Sequence, residues 1–107
     1  MVFVELTPFA TFRELHWSDD QLRELQSHLL ATPDAGDLIP GGGGVRKLRW
    51  QAQGRGKRGG ARVIYFWRVA QSQIYLIHGY VKSRSENLTA EQVAYLSRLT
   101  KELKQHG

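Results

Sequence analysis

Apolar and polar positions change period along this chain, and the changes mark its elements. Met1 to Leu6 carries Val2 and Val4 in a β-branched run, which predicts a first strand. From Pro8 to Trp17 the residues Phe9, Phe12 and His16 recur at helical spacing. Ser18 has the character of an N-cap, and Gln21 three residues on completes a capping box. Asp19 and Asp20 follow in the first turn, where the helix dipole favours carboxylates. Leu22, Leu25 and Leu29 then make an apolar stripe, with Leu30 beside it. Arg23, Glu24, Gln26 and Ser27 face water. Pro33 ends this helix, so the first third of the chain predicts a strand and a helical hairpin.

The second half alternates with period two. In Val45 to Trp50, Lys47 and Arg49 project to one face, Leu48 and Trp50 to the other. Ala61 to Val69 is the strongest strand signal, rich in β-branched and aromatic residues. Ile74 to Lys82 follows after a short polar turn. Three such runs in close succession predict an antiparallel meander. Thr89 and Gln92 form a second capping box, opening a helix to about Gln105 with a stripe of Val93, Leu96, Leu99 and Leu103. The order is β-α-α-β-β-β-α, an α+β fold with a helical hairpin packed on a small antiparallel sheet. At 107 residues it is expected to be a single domain. Ala35 to Gly44 reads as a loop. Its four consecutive glycines lack the GxxxxGK[ST] pattern and precede a strand, so a flexible turn is expected there, not a phosphate cradle.

Charge changes this picture most. Val45 to Arg68 carries eight Lys and Arg and no acidic residue. Residues 1–44 carry two basic against seven acidic side chains. A field segregated in this way is the footprint of a polyanion site. A solvated charge run on a sheet edge is the alternative. The aromatics interleaved with the basic residues favour the polyanion. The side opposite the helical hairpin is expected to collect Lys47, Arg49, Arg62, Lys82 and Tyr80. On the fourth strand, simple alternation puts His78, Tyr80 and Lys82 on one face with Ile74 and Leu76. The register between strands is not fixed by the sequence.

Other chemistry is thin. There is no cysteine, hence no disulfide framework and no thiolate site, which fits a reducing cytoplasm. The first ten residues lack a basic n-region, and no apolar run is long enough to cross a bilayer, so neither export nor a membrane is expected. No pair of histidines has metal-ligand spacing, so no metal or cofactor is implied. His78 is the one histidine sharing a strand face with Tyr80 and Lys82, although a strand histidine is ordinarily a hydrogen-bonded sheet residue. Trp50 and Trp67 read as packing residues before base-stacking platforms.

The run GVRKLRW, followed by GKRGGARVIYFW, IYLI and YVKSRSENLT, resembles the RelE/ParE superfamily of bacterial type II toxins. It is most similar to the HigB-like toxins of the RelE branch, over nearly the whole chain. The resemblance implies a RelE-like fold and a cytoplasmic toxin that enters the ribosomal A site. There it cleaves mRNA as a metal-independent endoribonuclease, and a cognate antitoxin encoded nearby restrains it. Carried over by position, Lys47 and Arg49 match the family's basic pair, Arg62 the arginine opening the central strand, and Lys82 the basic residue ending the last. Leu88 stands where some relatives have a tyrosine, which leaves Tyr80 as the nearest substitute. The catalytic candidates are thus Arg62, Lys82, Tyr80, Arg49 and Lys47. Arg46, Arg55, Lys57, Arg58 and Arg84 are the further RNA-binding candidates. A ParE-like inhibitor of DNA gyrase and a non-catalytic RNA-binding module are the alternatives; only the nuclease requires a phosphate-cleaving constellation.

Overall fold

The computed structural model describes residues 1–50, 60–81 and 88–106, His106 without its side chain. Its elements are β1 (Val2–Glu5), α1 (Thr7–His16), α2 (Asp19–Ala31), β2 (Asp37–Leu38), β3 (Val45–Trp50), β4 (Ala61–Arg68), β5 (Gln73–Val81) and α3 (Ala90–His106). A 3₁₀ turn, Val69–Gln71, links β4 to β5. The strands form one sheet in the order β1-β5-β4-β3-β2. The expected meander is present as β3, β4 and β5, each antiparallel to the next. The sheet as a whole is mixed, because β1 adds to β5 in parallel. β2 is a second addition, lying inside the stretch expected as loop. Asp37 pairs with Lys47 and Leu38 with Arg46, and two residues are too few to leave an alternating pattern.

Helices cover both faces of the sheet. On one side Phe9 of α1 and Leu22, Leu25 and Leu29 of α2 pack on Leu48, Val63, Tyr65, Ile74 and Leu76. Trp50 and Trp67 join this core from its margin, as packing residues. On the other side Leu96 of α3 packs on Val45, Ile64, Phe66, Tyr75 and Ile77. β4 lies between the two cores and is buried from Ala61 through Phe66. This accounts for its nearly unbroken apolar run, where a half-exposed strand would alternate. Leu30, placed beside the α2 stripe by its spacing, is 53% exposed and belongs to neither core.

The N-termini of α2 and α3 are capped by neighbouring side chains. Ser18 and Gln21 exchange the two hydrogen bonds of a capping box, at 2.8 and 3.2 Å. Thr89 and Gln92 do the same at 2.8 and 3.1 Å. At the other end of α3, Arg68 donates to the carbonyls of Leu103 (3.0 Å) and Lys104 (2.9 Å), two acceptors that a helix C-terminus leaves open. The glycine run is a packed seam, not merely a turn. Gly43 has φ 80° and sits so close to buried Thr100 of α3 that a Cβ there would collide with the threonine hydroxyl. Among the described residues no helix is long and apolar enough to cross a membrane.

A register shift between Ile64 and Tyr65 sets the parity of β5. Ile64 pairs with His78 but Tyr65 with Leu76, which leaves Ile77 as the extra residue of a bulge. Ile74 and Leu76 therefore face the helical hairpin, whereas His78 and Tyr80 face the α3 side with Arg62 and Ile64. The alternation drawn from the sequence, with all four on one face, is corrected here. One inserted residue exchanges the faces of everything beyond it.

Beyond the bulge, Gly79 lies beneath the Phe12 ring, and a Cβ at that position would meet three ring atoms. Phe12 is buried and boxed in by Trp17, with ring centroids 5.5 Å apart, so its ring has little room to retreat. Gly79→Ala is expected to lower stability by about 1–3 kcal/mol through overpacking. Urea unfolding of the two proteins measures this; identical midpoints would show that the seam is loose.

Candidate functional site

The pairing of β3, β4 and β5 builds the site. Arg49 is the cross-strand partner of Arg62, and Arg62 of Tyr80, so the three make one row on the α3 side. The adjacent row is Lys47, Ile64 and His78. α3 covers the part of this face that carries Val45, Phe66 and Tyr75, and its N-terminal turn ends near Lys47, where Leu88 and Val93 line a cleft with that lysine. Lys47, Arg49, Arg62 and Tyr80, expected together from the sequence, do share this face.

Arg62 is the most constrained of them. It is 4% exposed, on a strand paired on both edges, while Arg49 opposite it is exposed. The row thus grades from a buried, fixed guanidinium to a solvent-facing one. Both line a cleft of about 350 Å³ together with Lys47, Gly36 and Asp37. Like charges placed directly across two strands repel. A bound anion in the cleft would turn that repulsion into attraction from both sides.

Asp37 was not picked out from the sequence. It is the carboxylate among the lining residues of this cleft and is paired across β2–β3 with Lys47. The turn that carries it is held from below. The Tyr65 hydroxyl donates to the carbonyl of Pro33 (2.9 Å) and accepts from the backbone N–H of Gly36 (3.2 Å). Burial pushes the Tyr65 phenol above its ordinary pKa, so it stays a neutral donor. Arg46 serves the same turn, donating to the carbonyls of Gly36 (2.9 Å) and Asp34 (3.4 Å). It is paired with Tyr65 on the hairpin side, so the structure does not bring Arg46 to the cationic face. An invisible register and a two-residue strand hid these roles; the only sequence signal was an acidic residue just before a glycine run.

Arg55, Lys57, Arg58, Lys82 and Arg84 lie outside the described residues. Charge is nonetheless polarised across the sheet. The acidic residues of the hairpin, Glu14, Asp19, Asp20 and Glu24, sit on the layer opposite the Arg49–Arg62 row. Among the described residues no group of three or more His, Asp or Glu is arranged to hold a metal ion.

His78 and Tyr80 stand side by side along β5, with ring centroids 6.0 Å apart. His78 reaches solvent, but the apolar cleft beside it, lined by Ile64, Ile77 and Leu96, removes enough water to lower its pKa.

A family model described as the RelE toxin of the RelE / RelB toxin–antitoxin system matches residues 9–106. The match takes in α1 from Phe9 onward, all of α2 and of β2 to β5, and α3.

The His78 shift has a definite sign. A histidine whose folded pKa lies below its unfolded value takes up a proton more readily when unfolded. Its contribution to stability is complete above the ordinary histidine pKa of about 6.5 and is lost as the pH falls through that range. The His78 ring protons, followed by NMR, should titrate at a lower midpoint in the folded protein than in urea. A midpoint at or above the unfolded value would mean that the cleft does not desolvate the ring.

Proposed function

Because the chain belongs to the RelE toxin family, the toxins of RelE/RelB-type toxin–antitoxin systems, we propose that it is a ribosome-dependent endoribonuclease that cleaves mRNA and so halts translation. The family carries with it an antitoxin partner. The observation that supports the nuclease reading best is the Arg49–Arg62–Tyr80 row, with its buried central arginine. A HigB-like toxin acting in the cytoplasm, under a cognate antitoxin from a neighbouring gene, is the finer reading.

The reaction is a transesterification. The RNA 2′-oxygen attacks the adjacent phosphorus, the bond to the 5′-oxygen breaks, and a 2′,3′-cyclic phosphate and a 5′-hydroxyl result. Arg62 presents a planar fork suited to two phosphate oxygens, and its burial fixes that fork before substrate arrives. Arg49 and Lys47 offset the charge that grows on the phosphorane. The proton-accepting role that the resemblance gives Tyr80 is assigned here to Asp37, the carboxylate that lines the cleft with Arg49 and Arg62 and can take the 2′-proton, while Tyr80 closes the row beside Arg62. Lys82, through the resemblance, is assigned to the leaving oxygen. Arg55, Lys57, Arg58 and Arg84 contribute attraction to the RNA and ribosome, which strengthens as salt falls.

The test separates geometry from charge. Arg62→Lys keeps the positive charge and loses the fork. It is expected to slow single-turnover cleavage on saturating programmed ribosomes by about 10²-fold, the scale of one preorganised donor, while ribosome binding falls little. Circular dichroism on the same sample verifies the fold. Cleavage at the wild-type rate would reduce Arg62 to a source of attraction.

A further inference from the structure

We propose that the cleft beside His78 is a nucleobase pocket, holding the base of a nucleotide whose phosphate lies on the Arg49–Arg62–Tyr80 row. The proposal rests on reading RNA as the substrate. The cleft measures about 250 Å³ and lies between β5, α3 and the start of α1. Ile64, Ile77 and Leu96 form its apolar base, with His78 and Tyr95 also lining it. Tyr95 is 54% exposed and packs into neither core, so packing does not explain an aromatic there.

The cleft also neighbours the cationic row, with one further cleft between them. Leu88 lines both this cleft and its neighbour, which Lys47 lines too, and Lys47 in turn lines the cleft of Arg49 and Arg62. Within the sheet, the His78 row is the one next to the Tyr80 row. Phosphate and base subsites therefore stand two residues apart along one strand, roughly 7 Å. Sequence-specific proteins read single-stranded RNA by stacking splayed bases on Tyr, Phe, Trp or His and hydrogen-bonding their edges. Here a tyrosine and a histidine are available for stacking, and the neutral imidazole, favoured by its lowered pKa, can both donate and accept at a base edge. An amphipathic helix of an antitoxin would need a longer groove with several anchors in a line. A compact cleft bordered by planar groups fits a single base better.

The test is an NMR titration of the full-length protein with a dinucleotide and with the same phosphodiester lacking one base. The dinucleotide is expected to bind on the order of ten-fold more tightly, the lower part of the range for one stacked base. Its shifts should centre on Ile64, Ile77 and Tyr95. Tyr95→Ala, at an exposed position, should erase the difference, and Tyr95→Phe should keep it. Equal affinity of the wild type for both ligands, or discrimination unchanged by Tyr95→Ala, would overturn the pocket. So would shifts at these residues that appear only on adding the antitoxin, which would make the cleft a protein-docking site. Because binding is measured without the ribosome, base discrimination in a protein that never cuts mRNA would uphold the pocket and overturn the nuclease reading.

Discussion

Two arginines held opposite each other on neighbouring strands repel, and the fold has to keep Arg49 and Arg62 in that position. A like-charge cross-strand pair costs on the order of 0.2–1 kcal/mol. Full burial of one large apolar side chain contributes about 1.5–3 kcal/mol. β4 alone buries Val63, Ile64, Tyr65 and Phe66 between two cores, so packing outweighs the repulsion several-fold. The strand is locked by apolar contacts on both faces, and the arginine at its start is held wherever the strand goes. The same rigidity that opposes the repulsion is what aims Arg62 at a ligand.

The bulge in β5 carries the second part of the arrangement. Without the extra residue at Ile77, His78 and Tyr80 would point into the hairpin core, and Arg62 would face the α3 side without either ring beside it. The shift also places Gly79 under Phe12, where β5 and α1 approach too closely for a side chain. Bulge, glycine and ring form one device. It turns the end of β5 toward the cations while keeping the strand packed on α1. α3 is tied to the opposite face along its C-terminal half, by the glycine seam at Thr100 and by Arg68 at its C-terminal carbonyls.

Much of this was legible in the sequence, for identifiable reasons. Both capping boxes, the α2 stripe of Leu22, Leu25 and Leu29, and the three-stranded meander depend on contacts within a few residues or on a single period. So did the shared face of Lys47 and Arg49. The grouping of these with Arg62 and Tyr80 came partly from resemblance, and the structure places the four on one face. What stayed hidden depends on register. The face of Ile74 and Leu76 relative to Tyr80 turns on one bulge, which leaves no mark in composition. Arg46 looked like its basic neighbours, yet alternation sends it to the hairpin side, to the Gly36 carbonyl. Asp37 entered the cleft through a two-residue strand, and the glycine run met Thr100 across more than fifty residues of sequence.

The central claim is that this face of the sheet promotes attack by an RNA 2′-oxygen on its neighbouring phosphate. It is tested most directly with purified protein and ribosomes carrying a defined mRNA, all-ribose in one sample and with 2′-deoxyribose at the mapped cleavage position in the other. The account predicts a single cut in the first mRNA, ending in a 2′,3′-cyclic phosphate, and no cut at that position in the second. Cleavage of the deoxy-substituted mRNA at the same bond, or no cleavage of the all-ribose mRNA by active, ribosome-bound protein, would contradict it.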